Sequence, residues 1–81
     1  MIITVTFYSY FKELTGTSSV EMELPPGTPL GELHQQLMKR FPRLGEMRKS
    51  TLIAVGVEYQ GAEYALKPGD DVSLFPPVQG G

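Results

Sequence analysis

Ile3, Val5 and Phe7 alternate with Thr4 and Thr6 near the start of the chain, a period of two carried by β-branched and aromatic residues. That spacing predicts a strand over residues 2–8 with one buried face. Residues 8–14 (YSYFKEL) lose the alternation, and Thr15-Gly16-Thr17 closes them as a turn, with room for a short helical segment before it. Val20, Met22 and Leu24 alternate with Glu21 and Glu23, which predicts a second strand with a solvated acidic face, paired antiparallel to the first as a hairpin. Pro25-Pro26-Gly27 breaks that strand. Thr28-Pro29 then reads as a helix start, with the Thr28 hydroxyl as N-cap and Pro29 at the first helical position. Leu30, Leu33, Leu37 and Phe41 recur at three- and four-residue intervals and lay one apolar stripe along a helix over 29–41. Glu32 near its start and Lys39 and Arg40 near its end have the signs the helix dipole favours. Pro42 ends the helix, and residues 42–50 (PRLGEMRKS) read as a polar connection.

Residues 52–57 (LIAVGV) form a continuous apolar run, which predicts a strand buried on both faces. Gly56 within it marks a bulge or a close backbone approach. Residues 59–66 have weak strand character, and Lys67-Pro68-Gly69-Asp70 is a turn. The last strand, Val72 to Phe75, sets Val72 and Leu74 against Ser73 and Phe75. The order is β, β, α, β, a short β, β, so a single main helix must cover one face of a mixed sheet of four or five strands. This predicts an α+β domain of the β-grasp, or ubiquitin-like, arrangement. Residues 1–75 make the domain, and residues 76–81 make an extended tail. The 81-residue length suits one core and leaves little room to enclose a private active site.

Composition removes several function classes. The net charge of −2 argues against a nucleic-acid binder. Five of the seven basic residues (Lys39, Arg40, Arg43, Arg48, Lys49) fall in one stretch, which reads as a solvated loop able to meet an acidic partner. The chain has no cysteine, so disulfides and cysteine-ligated metals are excluded from within it. His34, the one histidine, lies off the apolar stripe and reads as a solvated helix residue; alone it cannot build a metal site, and none is expected. No phosphate-cradling glycine motif occurs, and Asp70 and Asp71 read as turn residues. Met22, Met38 and Met47 read as core or gap-filling side chains. No apolar stretch approaches the roughly 20 residues needed to span a bilayer. The strand-like N-terminus has no signal-peptide pattern, so the expected location is cytoplasmic. With no nucleophile–base pair or carboxylate pair in view, the chain is expected to act by presenting a surface or a terminus.

The ending LFPPVQGG supplies such a terminus. Pro76 and Pro77 hold φ near −65° and favour an extended exit from the last strand. Gly80 and Gly81 lack side chains, so the tip can thread a slot closed to other residues. A terminal carboxylate is unreactive near neutral pH. It becomes useful when another protein activates it, most simply as an acyl-adenylate made with ATP. The acyl group can then pass to an amine, as a protein tag, or to sulfur, giving a thiocarboxylate.

Four features together resemble the MoaD/ThiS sulfur-carrier family, in its molybdopterin-synthase branch. They are the FxxxxKELTG segment (Phe7, Lys12, Glu13, Leu14, Thr15, Gly16), LIAVGVEY at 52–59, LKPGDDVSLFPPVQGG at 66–81, and the terminal glycine pair. The resemblance covers essentially the whole chain, and the PPVxGG ending is its specific part. It implies that an E1-like adenylating enzyme activates Gly81 with ATP and that a sulfur donor, a sulfurtransferase or desulfurase, converts it to a thiocarboxylate. The tail would then enter the molybdopterin synthase large subunit and give sulfur to cyclic pyranopterin monophosphate, in a heterotetramer with a carrier at each end. No cofactor would be bound by the chain itself, and neither nucleic acid nor membrane would be a partner. Phe75 matches a family interface position. Phe7 is a second candidate, for which core is the competing reading, and Lys12 stands where the family usually has arginine, a contact without the bidentate fork. Gly56 stands where the family commonly has asparagine. A ubiquitin-like modifier, or a carrier for tRNA thiolation or thiamine synthesis, would use the same terminus.

Overall fold

The computed structural model describes residues 1–77, apart from the side chain of Arg48. Strand β1 (Ile2–Phe7) is followed by a short helix α1 (Phe11–Thr15), strand β2 (Ser19–Glu23), and the main helix α2 (Leu30–Arg40). A 3-10 segment (Pro42–Ser50) leads to β3 (Leu52–Val55), β4 (Glu58–Tyr59) and β5 (Asp71–Phe75). The five strands form one sheet in the order β2-β1-β5-β3-β4. β1 pairs antiparallel with β2 and parallel with β5, while β3 pairs antiparallel with both β5 and β4. A mixed sheet with the first and last strands parallel at its centre and one main helix between the two strand pairs is the β-grasp arrangement, as the element order predicts.

The alternation decides which face is buried. Ile3, Val5 and Phe7 of β1, and Val72 and Leu74 of β5, are fully buried. The register sets Val5 beside Val72 and Phe7 beside Leu74, so both central strands turn one face to the same core. Leu30, Leu33 and Leu37 of α2 close it from above, with Phe11 and Leu14 of α1 and Leu66 from the loop before β5. The Phe7 ring meets Phe41 edge-on at 5.8 Å. Met22 is buried, and Met38 and Met47 pack on the core from its margin, as gap-filling side chains do.

Five local features depart from the sequence expectation. Thr28 does not cap α2: its hydroxyl donates to the Pro25 carbonyl at 2.7 Å, and the cap position falls on Pro29 with no side-chain bond. The first helical N–H groups are satisfied instead by backbone, Leu30 donating to the Tyr64 carbonyl at 2.8 Å and Gly31 to Ala62 at 2.9 Å. A strap over residues 61–65 therefore does the work expected of a hydroxyl. Residues 42–50 are 3-10 turns that bury Leu44 to 1% exposure, where a polar connection was expected. The apolar run at 52–57 is a strand only to Val55, with Leu52 and Ile53 half-buried and Val57 fully exposed. Gly56 is neither a bulge nor a close approach: it has φ of 63° and nothing within 4 Å of a built Cβ. It opens a two-residue hairpin turn between Val55 and Glu58, where a positive φ at the first position favours glycine. His34 is half-buried with its Nε2 shielded from solvent, where a solvated residue was expected.

The turn that feeds β5 is held by charge. Asp70 Oδ2 accepts from the Tyr64 hydroxyl at 2.9 Å and from the Lys67 N–H at 3.0 Å, and Lys67 Nζ lies 3.5 Å from Oδ1. Burial pushes the Asp70 carboxyl up, but the Lys67 N–H, the Tyr64 hydroxyl and the Lys67 ammonium together outweigh it and hold it below the ordinary carboxylate value of 3.8. A carboxyl lowered by folding stabilises the fold above that ordinary value and loses its contribution as pH falls through the lower folded one. Acid unfolding of the Asp70→Asn variant should therefore show a flatter pH dependence below about pH 4 than the parent protein. Parallel curves would show that the turn carries no linkage.

Candidate functional site

The sheet face opposite α2 carries an aromatic cluster at the end of β5. Leu74 turns into the core, so Phe75, one residue on, projects from the outer face. The Tyr8 N–H donates to the Leu74 carbonyl at 3.1 Å, extending the β1–β5 pairing one residue past β1. This sets the Tyr8 ring flat on Phe75, with centroids 4.8 Å apart and planes 14° from parallel. From the other side Tyr59 of β4 meets the same ring edge-on at 6.2 Å. Leu52 lies opposite Phe75 across the β3–β5 pair and is half-buried. Phe75 is thus held between two tyrosines that are themselves 42% and 64% exposed. Together they make an apolar surface with polar hydroxyl rims, a composition that suits protein contact.

Three devices fix this geometry locally. Ser9 takes a left-handed φ of 57°, turning the chain away from the sheet directly after Tyr8 and into α1. Gly16 ends α1 in the left-handed conformation that glycine accepts, its N–H closing on the Lys12 carbonyl at 2.8 Å. Tyr10, between Ser9 and α1, donates its hydroxyl to Met47 Sδ, tying α1 to the 3-10 segment. A left-handed non-glycine residue beside a functional surface is a place where strain is characteristically stored.

The structure sorts the expected site residues. Phe75 is on the surface as expected and half-buried. Phe7 is not available to a partner: it is 0% exposed between the strands and Phe41, so the core reading replaces the interface one. The physical reason is register, since Phe7 shares a face with Ile3 and Val5, and Tyr8 occupies the outer one. Lys12 is exposed on α1, and among the described residues no ring contact or ion pair joins it to the aromatic cluster. Pro76 and Pro77 follow Phe75 directly and are half-buried. Gly80 and Gly81 lie outside the described residues. Sequence reasoning missed Tyr8 and Tyr59, although Tyr8 continues the outward phase of Thr4 and Thr6 and could have been found from it.

No three histidine, aspartate or glutamate side chains gather as a metal site requires among the described residues. None of the helices there is long and apolar enough to cross a membrane.

Comparison with known proteins agrees with this geometry. The sequence matches the ThiS family over residues 5–81. It is 33% identical to the molybdopterin synthase sulfur carrier subunit of Chlamydomonas reinhardtii, with 100% of both chains covered. The fold superimposes with a TM-score of 0.87 on a Pyrococcus furiosus protein assigned as subunit 1 of a molybdopterin converting factor, at 30% identity over 96% of this chain and 99% of that one. It also matches, with a TM-score of 0.74 and 27% identity over the whole of both chains, a structure from Helicobacter pylori in which subunits 1 and 2 of the molybdopterin converting factor form a complex. Matched almost throughout in sequence and folded like the Pyrococcus protein, this chain belongs to the ThiS family.

Proposed function

We propose that this chain is the sulfur carrier subunit of a molybdopterin synthase. The observation that carries the reading is the Tyr8–Phe75–Tyr59 surface at the root of the tail, where β5 ends. Such a surface grips a partner at the point where β5 ends, and the residues beyond it run on into that partner. The Helicobacter complex of subunits 1 and 2 supports a large subunit as that partner.

The chemistry rests on Gly81. Its carboxylate oxygen attacks the α-phosphorus of ATP on an E1-like enzyme, and pyrophosphate leaves. The outer sulfur of a persulfide on a sulfurtransferase or desulfurase then attacks the acyl carbon and AMP leaves; a thiol attacks the donor-side sulfur of the resulting acyl disulfide, removing the donor as a mixed disulfide and freeing the thiocarboxylate. In the large subunit that sulfur forms a carbon–sulfur bond to cyclic pyranopterin monophosphate as a carbon–oxygen bond there breaks, and water then cleaves the acyl–sulfur bond, leaving the sulfur on the pterin and returning the carrier to its carboxylate. Each carrier delivers one sulfur, so a dithiolene consumes two. Pro76 and Pro77 stiffen the first part of the tail, and Gly80 lets its tip enter a narrow channel.

Reconstitution tests this reading. The thiocarboxylated chain, mixed with a large subunit and cyclic pyranopterin monophosphate, should yield molybdopterin, and the carboxylate form should not. Product from neither form would refute the assignment. The surface has its own test. Phe75→Ala should weaken large-subunit binding by about 2 kcal/mol or more, as central aromatic contacts do. It should lower the unfolding midpoint much less than loss of a core phenylalanine. Equal damage to binding and folding would return Phe75 to the core.

A further inference from the structure

The sheet has two edges, and they differ. β4 is two residues long, whereas β2 presents five residues (Ser19–Glu23) with no proline among them. The register shows which backbone groups of β2 face outward. Leu24 donates to the Met1 carbonyl at 2.9 Å and Phe7 to the Ser18 carbonyl at 2.8 Å, so the hydrogen-bonded pairs between them are Ile3–Met22 and Val5–Val20. The N–H and C=O groups of Ser19, Glu21 and Glu23 therefore point away from β1. The Ser19 carbonyl is taken by the Thr17 hydroxyl at 3.1 Å. Those of Glu21 and Glu23 remain as a two-residue template for another strand.

The two faces beside this template carry opposite charge. On the α2 side an open groove of about 500 Å³ runs between β2 and the last turns of the helix, lined by Glu21, Met22 and Glu23 of β2 and by Gln36, Lys39 and Arg40 of α2. Arg40 is held there with its guanidinium 5.4 Å from the centre of the Phe41 ring. On the outer face stand the exposed side chains of Glu21 and Glu23.

We infer that the β2 edge docks an extended segment of another protein, acidic or apolar at the positions facing α2 and basic at the alternate positions facing outward. Strand side chains alternate between faces, so such a segment meets Lys39 and Arg40 with one set and Glu21 and Glu23 with the other. A second copy of this chain does not fit, because joining two β2 edges brings two pairs of outer-face glutamates together, and like charges across strands repel. The edge lies two strands away from β5. A segment bound there leaves Phe75 and the tail exit open, so both surfaces can be engaged at once.

The test is a titration of the full chain, followed by backbone amide NMR. The probe is a short blocked peptide alternating lysine with valine and glutamate; the control is a peptide of the same composition with the alternation scrambled. The expected shifts are confined to residues 19–23 and 36–40, leave Tyr8, Tyr59 and Phe75 unmoved, and weaken with salt. Glu21→Pro removes an outward N–H and no bond to β1. It should weaken binding roughly three- to tenfold, the worth of a net hydrogen bond, whereas Glu21→Thr should weaken it less. If the proline variant does not fold, the exposed pair Lys39→Glu with Arg40→Glu decides, and it should abolish the preference for the alternating peptide over the scrambled one. Equal binding of the two peptides, shifts centred elsewhere, or no shift in β2 would overturn the inference.

Discussion

Deleting Gly81 is expected to reduce molybdopterin formation by at least about 100-fold while leaving the unfolding transition where it is. The first half follows from reach. One residue of extended chain spans about 3.3–3.6 Å, whereas reacting atoms must approach to about 3–3.5 Å, and a misplacement of 1 Å can cost about 10²-fold. Moving the carboxyl back to Gly80 therefore withdraws it from an acceptor set to meet Gly81. The second half follows from where the core is. Among the described residues its buried members run from Ile3 to Leu74, and neither Pro76 nor Pro77 is one of them. Gly81→Ala should impair transfer in the same direction, since a methyl group must pass where none was accommodated. Sulfur transfer at the parent rate would refute the role of the terminus, and a large fall in the midpoint would mean that the tail is part of the folded core.

Phe7→Ala should do the reverse. Phe7 is fully enclosed, paired in register with Leu74 and edge-on to Phe41. Phenylalanine-to-alanine changes in such places cost about 3–5 kcal/mol. A domain of this length has on the order of 4–12 kcal/mol in all, so the variant should lie close to the limit of folding. Each kcal/mol is worth about 4–8 °C at this size, so the midpoint should fall by more than about 10 °C or the cooperative transition vanish. Calorimetry, or circular dichroism with temperature, reads this directly. A variant that melted normally yet bound the large subunit poorly would reinstate Phe7 at the interface.

The contrast between Phe7 and Tyr8 shows what the sequence made legible. Period-two alternation placed Phe7 on the same face as Ile3 and Val5, and the structure keeps it there. The interface reading came from resemblance, and the one-residue shift between resemblance and geometry moved the contact to the opposite face of the sheet. Strands β1, β2 and β5 and the stripe of α2 were readable because each repeats a burial pattern over several turns or pleats. Leu44 was not, because a lone apolar residue among polar neighbours has no period. Thr28 misled for a related reason: its neighbours in sequence suit a cap, but the Tyr64 and Ala62 carbonyls that replace it come from a strap more than thirty residues away. The apolar run at 52–57 hid a hairpin turn because Gly56 fits a bulge as readily as a turn. Tyr59 could not be assigned at all before the sheet order was known, since only the β3–β4 pairing carries it to Phe75.

The intact mass of the purified chain, measured after incubation with ATP, an activating enzyme and a sulfur source, bears most directly on the proposed role. The expected result is a gain equal to the replacement of one oxygen by one sulfur, located by fragmentation at Gly81 and lost again when the large subunit and its pyranopterin are added. An unchanged mass, sulfur found elsewhere in the chain, or isopeptide conjugates to target lysines in its place would contradict it.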